Sequence, residues 1–273
     1  MDIHKPKLIH NWREFLKEYA IIVIGVLTAL AAEQAVEWWH WKSQVNEARS
    51  LIATELSHNL RQSIIRLRIE PCGERRLDEL GAVLDNASNT GVLPPLGDIG
   101  APPRSVWYSG TWESIVASQI ATHFPRQELA ALNTIYKFIQ KADETGAIER
   151  AQWDSLYAMV GPGRRLDGAS EARLRDAMSH ARIANRQMTN LGVVILREVN
   201  TLHLPFSTGD LKDIAAGKSL PLVASRNDFS FTGYVCAPIG EVPAVYGQAG
   251  WKFIPYTNDA NLKAVPDFGP GAR

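Results

Sequence analysis

At 273 residues the chain is long enough for one large or two modest packed domains, and its 45% apolar and 21% charged content is ordinary for a globular protein. Lys plus Arg equals Asp plus Glu at 29 each, so there is no bulk positive field to gather nucleic acid. The two cysteines, Cys72 and Cys236, belong to no C-x-x-C or Cys/His cluster, which argues against a structural zinc site.

The first informative stretch is "EYAIIVIGVLTALAAEQAVEWWHW", Glu18 to Trp41. Tyr19 to Ala32 is a run of fourteen residues without a charge, shorter than the roughly 18–20 that make a spanning helix secure. Three readings compete. A cleavable export signal fits the basic leader (Lys5, Lys7, Arg13, Lys17) and the Ala29-Leu30-Ala31 pattern, but not Glu14 and Glu18 within that leader. A buried helix of a soluble protein accommodates the apolar run but not three tryptophans bunched at one end. A membrane anchor accounts for the most residues. Trp12 and Phe15 precede the run and Trp38, Trp39 and Trp41 follow it, as aromatic belts do at two membrane interfaces. Lys17 and Glu33 are about 24 Å apart on a helix rising 1.5 Å per residue. Snorkelling of Lys17 stretches this towards a thin hydrocarbon core of about 27 Å.

Within the run, Gly25, Thr28, Ala29 and Ala32 share one helical face, and small residues spaced by four let another helix approach closely. A packing partner in the membrane, another copy or a different subunit, is therefore expected. Four basic residues precede the span against Lys42 and Arg49 just after it, so the positive-inside rule favours a cytoplasmic N-terminus and an exported body. In that oxidising compartment a Cys72–Cys236 disulfide is expected; in a reducing one the two would be buried thiols. Glu33 and Glu37 lie four apart on one face, followed by His40 and Trp41. They are read as carboxylates reaching interfacial water, with a proton relay or intersubunit ion pair as the sharper alternative.

Beyond the span, Val45, Ala48, Ile52, Leu56, Leu60, Ile64 and Leu67 recur at threes and fours, predicting that the helix continues as far as Pro71. "CGERRLDELGAVLDNAS" predicts a second helix with Leu77, Leu80, Val83 and Leu84 on one side. "TGVLPPLGDIGAPPRS" is a loop with four prolines and three glycines. "TWESIVASQIA" predicts a helix with Thr111 as N-cap. Pro125 suits the first turn of the next, whose buried stripe is Leu129, Leu132, Ile135, Tyr136 and Ile139. A further helical segment is expected from Gly146 to Val160. The last long helix is expected from Ser170 to Leu202, with Leu174, Met178, Ile183, Met188, Leu191, Val194, Ile195 and Val199 on its period.

After Leu204 the composition changes: seven of fifteen prolines and eight of twenty glycines fall in the remaining 69 residues. "DLKDIAAG" suggests a short helix and "FSFTGYVC" a short strand. The rest reads as an arm whose Tyr246, Trp251, Phe253 and Tyr256 lie along a surface, its own or a partner's, with Phe268 beyond them; disordered tails lack such aromatics.

The expected architecture is thus all-α: a cytoplasmic leader (1–18), a transmembrane anchor with its Trp belt (19–41), a periplasmic helical domain (42–204) and an irregular Pro/Gly-rich arm (205–273). Chemistry is sparsely signalled. No G-x-S-x-G elbow occurs, and "GPGRRLDG" lacks the Lys-Ser of a phosphate loop. The seven histidines are scattered, with no pair four apart around a carboxylate. No cofactor, metal or catalytic residue is assigned.

Three passages, "EYAIIVIGVLTALAAEQAVEWW", "ERRLDELGAVL" and "TWESIVASQIA", together resemble a group of uncharacterised bacterial single-pass membrane proteins with an N-terminal anchor and a helical domain. The resemblance covers the chain ahead of the arm and implies topology and fold but no activity. The expected function is that of a non-catalytic inner-membrane protein, an accessory or stabilising subunit of a larger complex, with bioenergetic complexes the first to consider. Its partners would be lipid and other membrane subunits or a second copy. An exported helical sensor or ligand-binding module is the alternative, and an enzyme with a site gathered from distant residues is the third.

Overall fold

The computed structural model describes residues 12–202, 204, 234–236 and 239–240. Among these residues the fold is all-α, with strands reduced to one two-residue pairing. The elements are α1 (Trp12–Thr90), β1 (Val92–Leu93), α2 (Gly110–Ala117), α3 (Arg126–Leu156), β2 (Arg164–Arg165) and α4 (Gly168–Val199), with short 3-10 turns at Ile120–His123, Tyr157–Met159 and Tyr234–Cys236.

Helix α1 dominates. Its 79 residues make a rod of about 118 Å at 1.5 Å per residue. The predicted stripe from Val45 to Leu67 is buried throughout. The helix does not end at Pro71, however, and the separate second helix expected after it is the continuation of α1. Proline removes one backbone hydrogen bond and costs about 3 kcal/mol inside a helix. Here Ile64, Leu67 and Ile69 on one side of it and Cys72, Leu77 and Leu80 on the other are all buried. Several side chains at about 1.5–3 kcal/mol each outweigh one lost bond.

The far part of α1 packs with α3 and α4 around two contiguous cores. The nearer joins Val45–Ile69 to α2, the first half of α3 and the end of α4; the farther joins Cys72–Ala87 to Trp153, Leu156 and the first half of α4. Hence α3 runs parallel to α1 and α4 antiparallel to both. The segment 94–109 returns along the bundle to start α2 at the near end. Gly91, at φ 69°, turns the chain out of α1, and Val92 and Leu93 pair antiparallel with Arg165 and Arg164.

Two other expected boundaries shift, and one expected core position is exposed. The two segments around Pro125 and Gly146 are one helix, α3, because Ala142, Thr145, Gly146 and Glu149 all face the core. Helix α4 begins at Gly168, capped by Asp167, whose carboxylate accepts from Ser170 N at 2.8 Å and Ser170 Oγ at 2.9 Å. These bonds hold the Asp167 carboxyl below the usual range. Ile183, placed on the α4 stripe by periodicity, is 59% exposed, since Ala181, Ala184 and Asn185 occupy the inward face there.

Cys72 and Cys236 are joined by a disulfide. The bond fixes Tyr234–Cys236, a 3-10 turn rather than a strand, against the far core, where Val235 is fully buried. By closing a loop across a separation of 164 residues, such a link restricts the unfolded chain by on the order of 5 kcal/mol in the chain-entropy picture. Nearby, Gly240 N donates to Asp98 O at 2.8 Å. A Cβ on Gly97 would come 2.5 Å from Gly240 Cα, so the crossing requires glycine.

Leu60→Ala, at a fully buried position of α1, is expected to lower unfolding free energy by about 2–5 kcal/mol. Ile183→Ala is expected to change it by no more than about 0.5 kcal/mol. Urea unfolding of the full chain in mild detergent, followed by near-UV circular dichroism, measures both.

Candidate functional site

Two regions stand out: the near end of α1 and a polar seam inside the bundle. From Phe15 to Trp39 the helix projects without cover. It is the one helix among the described residues long and apolar enough to cross a membrane, and no part of its apolar window is buried. Ile21, Ile22, Ile24, Val26, Leu27 and Leu30 are all exposed. Gly25, Thr28, Ala29 and Ala32 are exposed too, and a Cβ on Gly25 would meet no described atom within 4 Å. Thr28 Oγ1 donates to Ile24 O at 2.8 Å, so its hydroxyl is satisfied within the helix.

Trp12, Lys17, Glu33, Trp38 and Trp39 are exposed around this segment, whereas Trp41 is half-buried. The Trp41 ring stacks on His123 at 3.8 Å between centroids, and its Nε1 donates to Glu37 Oε1 at 3.4 Å. The packed domain therefore begins at Trp41, immediately beyond the apolar stretch. Tyr246, Trp251, Phe253, Tyr256 and Phe268 lie outside the described residues, as does "DLKDIAAG".

The polar seam was not singled out from the sequence. Glu55, Asn59, Ser63 and Arg66 form a lane on α1 beside the apolar stripe, and all four are buried. Glu55 accepts from Thr111 N at 2.7 Å, Trp112 N at 3.3 Å and Tyr136 Oη at 2.7 Å. The carboxylate of one helix thereby caps the N-terminus of another, where unpaired N–H groups favour negative charge. The expected cap at Thr111 is corrected accordingly: Ser109 precedes the helix, its hydroxyl is turned to Glu113 Oε1 at 2.6 Å, and Thr111 lies inside the first turn. Asn59 exchanges two bonds with the Tyr108 backbone, at 2.8 and 2.9 Å. Burial, then the bond to Glu55, push the Tyr136 hydroxyl far above its ordinary pKa.

Seven residues beyond Asn59, Arg66 Nη2 pairs with Glu149 Oε1 at 2.7 Å, with side-chain exposures of 0% and 5%, and donates to Asn185 Oδ1 at 3.2 Å. Asn185 Nδ2 in turn reaches Glu70 O and Glu74 Oε1. Glu74 and Asp78 carry the network outwards to Arg182. Arg66 Nε and Nη1 have no hydrogen-bond partner among the described residues. Glu149 also lines a cavity of about 330 Å³ shared with Trp153, Tyr157, Arg104, Arg150 and Asp154. Trp153 Nε1 is buried without a hydrogen-bond partner among the described residues, and Tyr157 Oη donates to Asp98 Oδ1 at 3.0 Å. Among the described residues no group of three or more His, Cys, Asp or Glu side chains is placed to hold a metal ion.

Compared with known protein families, curated proteins and solved structures, the chain matches none. The resemblance to bacterial single-pass membrane proteins gains no support from these comparisons. What the fold itself defines is an all-α domain carrying a projecting apolar helix.

Two outcomes follow from the seam. Glu149→Ala strands the buried Arg66 charge and is expected to cost about 3–5 kcal/mol, whereas replacing both partners by apolar residues of similar volume costs much less; a double-mutant cycle by urea unfolding separates the two. For Tyr136 the folded pKa is raised, so its contribution is complete below the unfolded value near pH ~10 and is lost as pH rises through the folded one. Tyr136→Phe is therefore expected to flatten the alkaline limb of the stability–pH curve, by about 1.4 kcal/mol per pH unit above pH ~10.

Proposed function

We propose that this protein is a single-pass membrane protein whose helical domain stands outside the lipid and serves, without catalysis of its own, as an accessory or stabilising subunit of a larger membrane complex. The observation that carries this reading is the segment Phe15–Trp39, apolar, uncovered by the other described residues, and continuous in one helix with a packed domain. In water such a face is a liability; in lipid it is the stable state. Trp12 and Trp38, about 39 Å apart along the helix at 1.5 Å per residue, suit a bilayer of about 40–45 Å including its interfacial layers. The excess of Lys and Arg ahead of the segment favours a cytoplasmic N-terminus. The Cys72–Cys236 disulfide favours an oxidising compartment such as the periplasm, and hence the inner membrane as the site of anchoring. The face Gly25/Thr28/Ala29/Ala32 is the proposed contact with the partner helix, and the aromatic arm a second contact outside the bilayer.

A ligand-binding module is the second reading, favoured by the cavity beside Trp153 with its aromatic walls and mixed charges. Purification in mild detergent discriminates. Stoichiometric co-migration with a large complex on a native gel is the expected result, whereas an isolated monomer stabilised by a small molecule favours the module.

Ala29→Leu is expected to weaken association at least severalfold while leaving the protein in the carbonate-washed membrane pellet. Release of the unaltered protein by carbonate removes the anchor reading, and undiminished association removes the assigned face.

A further inference from the structure

Where the domain meets the projecting helix, a pocket of about 260 Å³ opens between α1 and the turn before α3. Its polar and aromatic walls are Trp38, Trp41, Lys42, Asn46, Arg49 and His123, and no carboxylate lines it. The other cavities differ: the one beside Trp153 sets Arg104 and Arg150 against Glu149 and Asp154, and one beside Tyr136 sets Lys137 against Glu113, Asp143 and Glu144.

The cations are not equivalent. Arg49 is committed, with Nε and Nη2 to Glu128 at 2.8 and 2.7 Å and Nη1 to Asn46 at 3.1 Å. Lys42 has no carboxylate partner among the described residues; its Nζ rests 4.8 Å from the Trp38 ring centre. His123 stacks on Trp41 and makes no hydrogen bond to a described residue. Glu37, four residues before Trp41 on α1, is engaged by Trp41 Nε1.

Position supplies the rest. Lys42 lies one helical turn, about 6 Å, beyond Trp38, and tryptophan in a spanning helix settles at headgroup level. The headgroup layer is itself about 5–7 Å deep on each side. On the anchored reading proposed above, the unpaired ammonium therefore stands at the depth of lipid phosphates.

We propose that this pocket seats the phosphate of an anionic phospholipid headgroup, held by Lys42 and His123 against the Trp38 and Trp41 rings. An anionic lipid is favoured over a choline lipid because a quaternary ammonium needs an open aromatic face or a carboxylate. Here Lys42 covers one face of Trp38, His123 covers one face of Trp41, and the nearby carboxylates of Glu37 and Glu128 are engaged by Trp41 and Arg49 and do not line the pocket. The inference rests on the membrane reading and adds a lipid class to it.

The test uses the full chain extracted in mild detergent and re-equilibrated with equal amounts of phosphatidylglycerol and phosphatidylcholine, the lipids retained after purification being counted by mass spectrometry. The expected result is enrichment of phosphatidylglycerol that falls about fivefold in Lys42→Gln and is unchanged in Lys141→Gln, at an exposed ion pair elsewhere. Retained lipid that mirrors the bulk mixture, or enrichment that survives Lys42→Gln, overturns the proposal. Inorganic phosphate distinguishes the source of the anion. A thermal midpoint raised by phosphate over chloride at equal ionic strength, and not raised in Lys42→Gln, would assign the pocket to the free ion and overturn the lipid assignment. Carbonate washing of the unaltered protein separates the two readings. Absence of enrichment in it with the protein still in the pellet defeats the headgroup site alone, whereas release into the wash defeats the anchor as well.

Discussion

The structure depends on the continuity of α1 as a single helix, whose backbone ladder lacks a donor only at Pro71. One helix supplies both the apolar segment that no other described residue covers and the stripe around which the bundle is packed. A helix spends no backbone donor or acceptor on its surroundings except at its ends, so it can pass from one medium into another without leaving polar groups bare. The transition needs only a change of side chains, and it occurs within a few residues: Trp38 and Trp39 are exposed, Trp41 is half-covered, and Val45 is buried. Everything else is fastened to the rod beyond that point. Helices α3 and α4 complete the two cores, and the disulfide at Cys72 ties the distant Tyr234–Cys236 turn to the same helix.

The interior is stabilised by apolar burial but given its register by the polar lane. An apolar stripe tolerates sliding by a turn, because leucine replaced by isoleucine in a neighbouring hole still buries similar area. Glu55, Asn59 and Arg66 do not tolerate it. Each has a partner at one position only: the start of α2, the Tyr108 backbone, and Glu149 with Asn185. Displacement by one turn would strand a buried carboxylate and a buried guanidinium, at several kcal/mol each. This is how the long segment 94–109, without regular structure of its own, comes to hold a fixed course across the bundle.

How far all this was legible in the sequence follows from the range of the forces involved. The stripe from Val45 to Leu67 is readable because helical periodicity is local, and the all-α class follows from it. The breaks expected at Pro71 and near Gly146 are absent because local preference there is a few kcal/mol at most and tertiary burial exceeds it. Thr111 resembles a cap, and Glu55 does the capping from 56 residues away; no local rule reaches that far. The polar lane does leave a trace, since Glu55, Asn59, Ser63 and Arg66 repeat at fours and a three beside the apolar stripe. Without partners in view, that pattern is the same as a solvated face. Arg66 meets Glu149 and Asn185 at separations of 83 and 119 residues. Of the candidate site, the uncovered apolar segment and its tryptophans were readable; the stacking of Trp41 on His123 and the pocket beneath it were not.

The absence of a hinge between the uncovered segment and the bundle has a mechanical corollary. With 3.6 residues per turn, each residue added or removed between Ala32 and Val45 rotates the Gly25/Ala29 face by about 100° relative to α3 and α4. Seven residues bring it back to within about 20°. The spacing of these two landmarks thus works as a gear setting: on the proposed packing of that face against another helix, it selects which flank of the domain is turned towards the neighbour, independently of how tightly that neighbour is held.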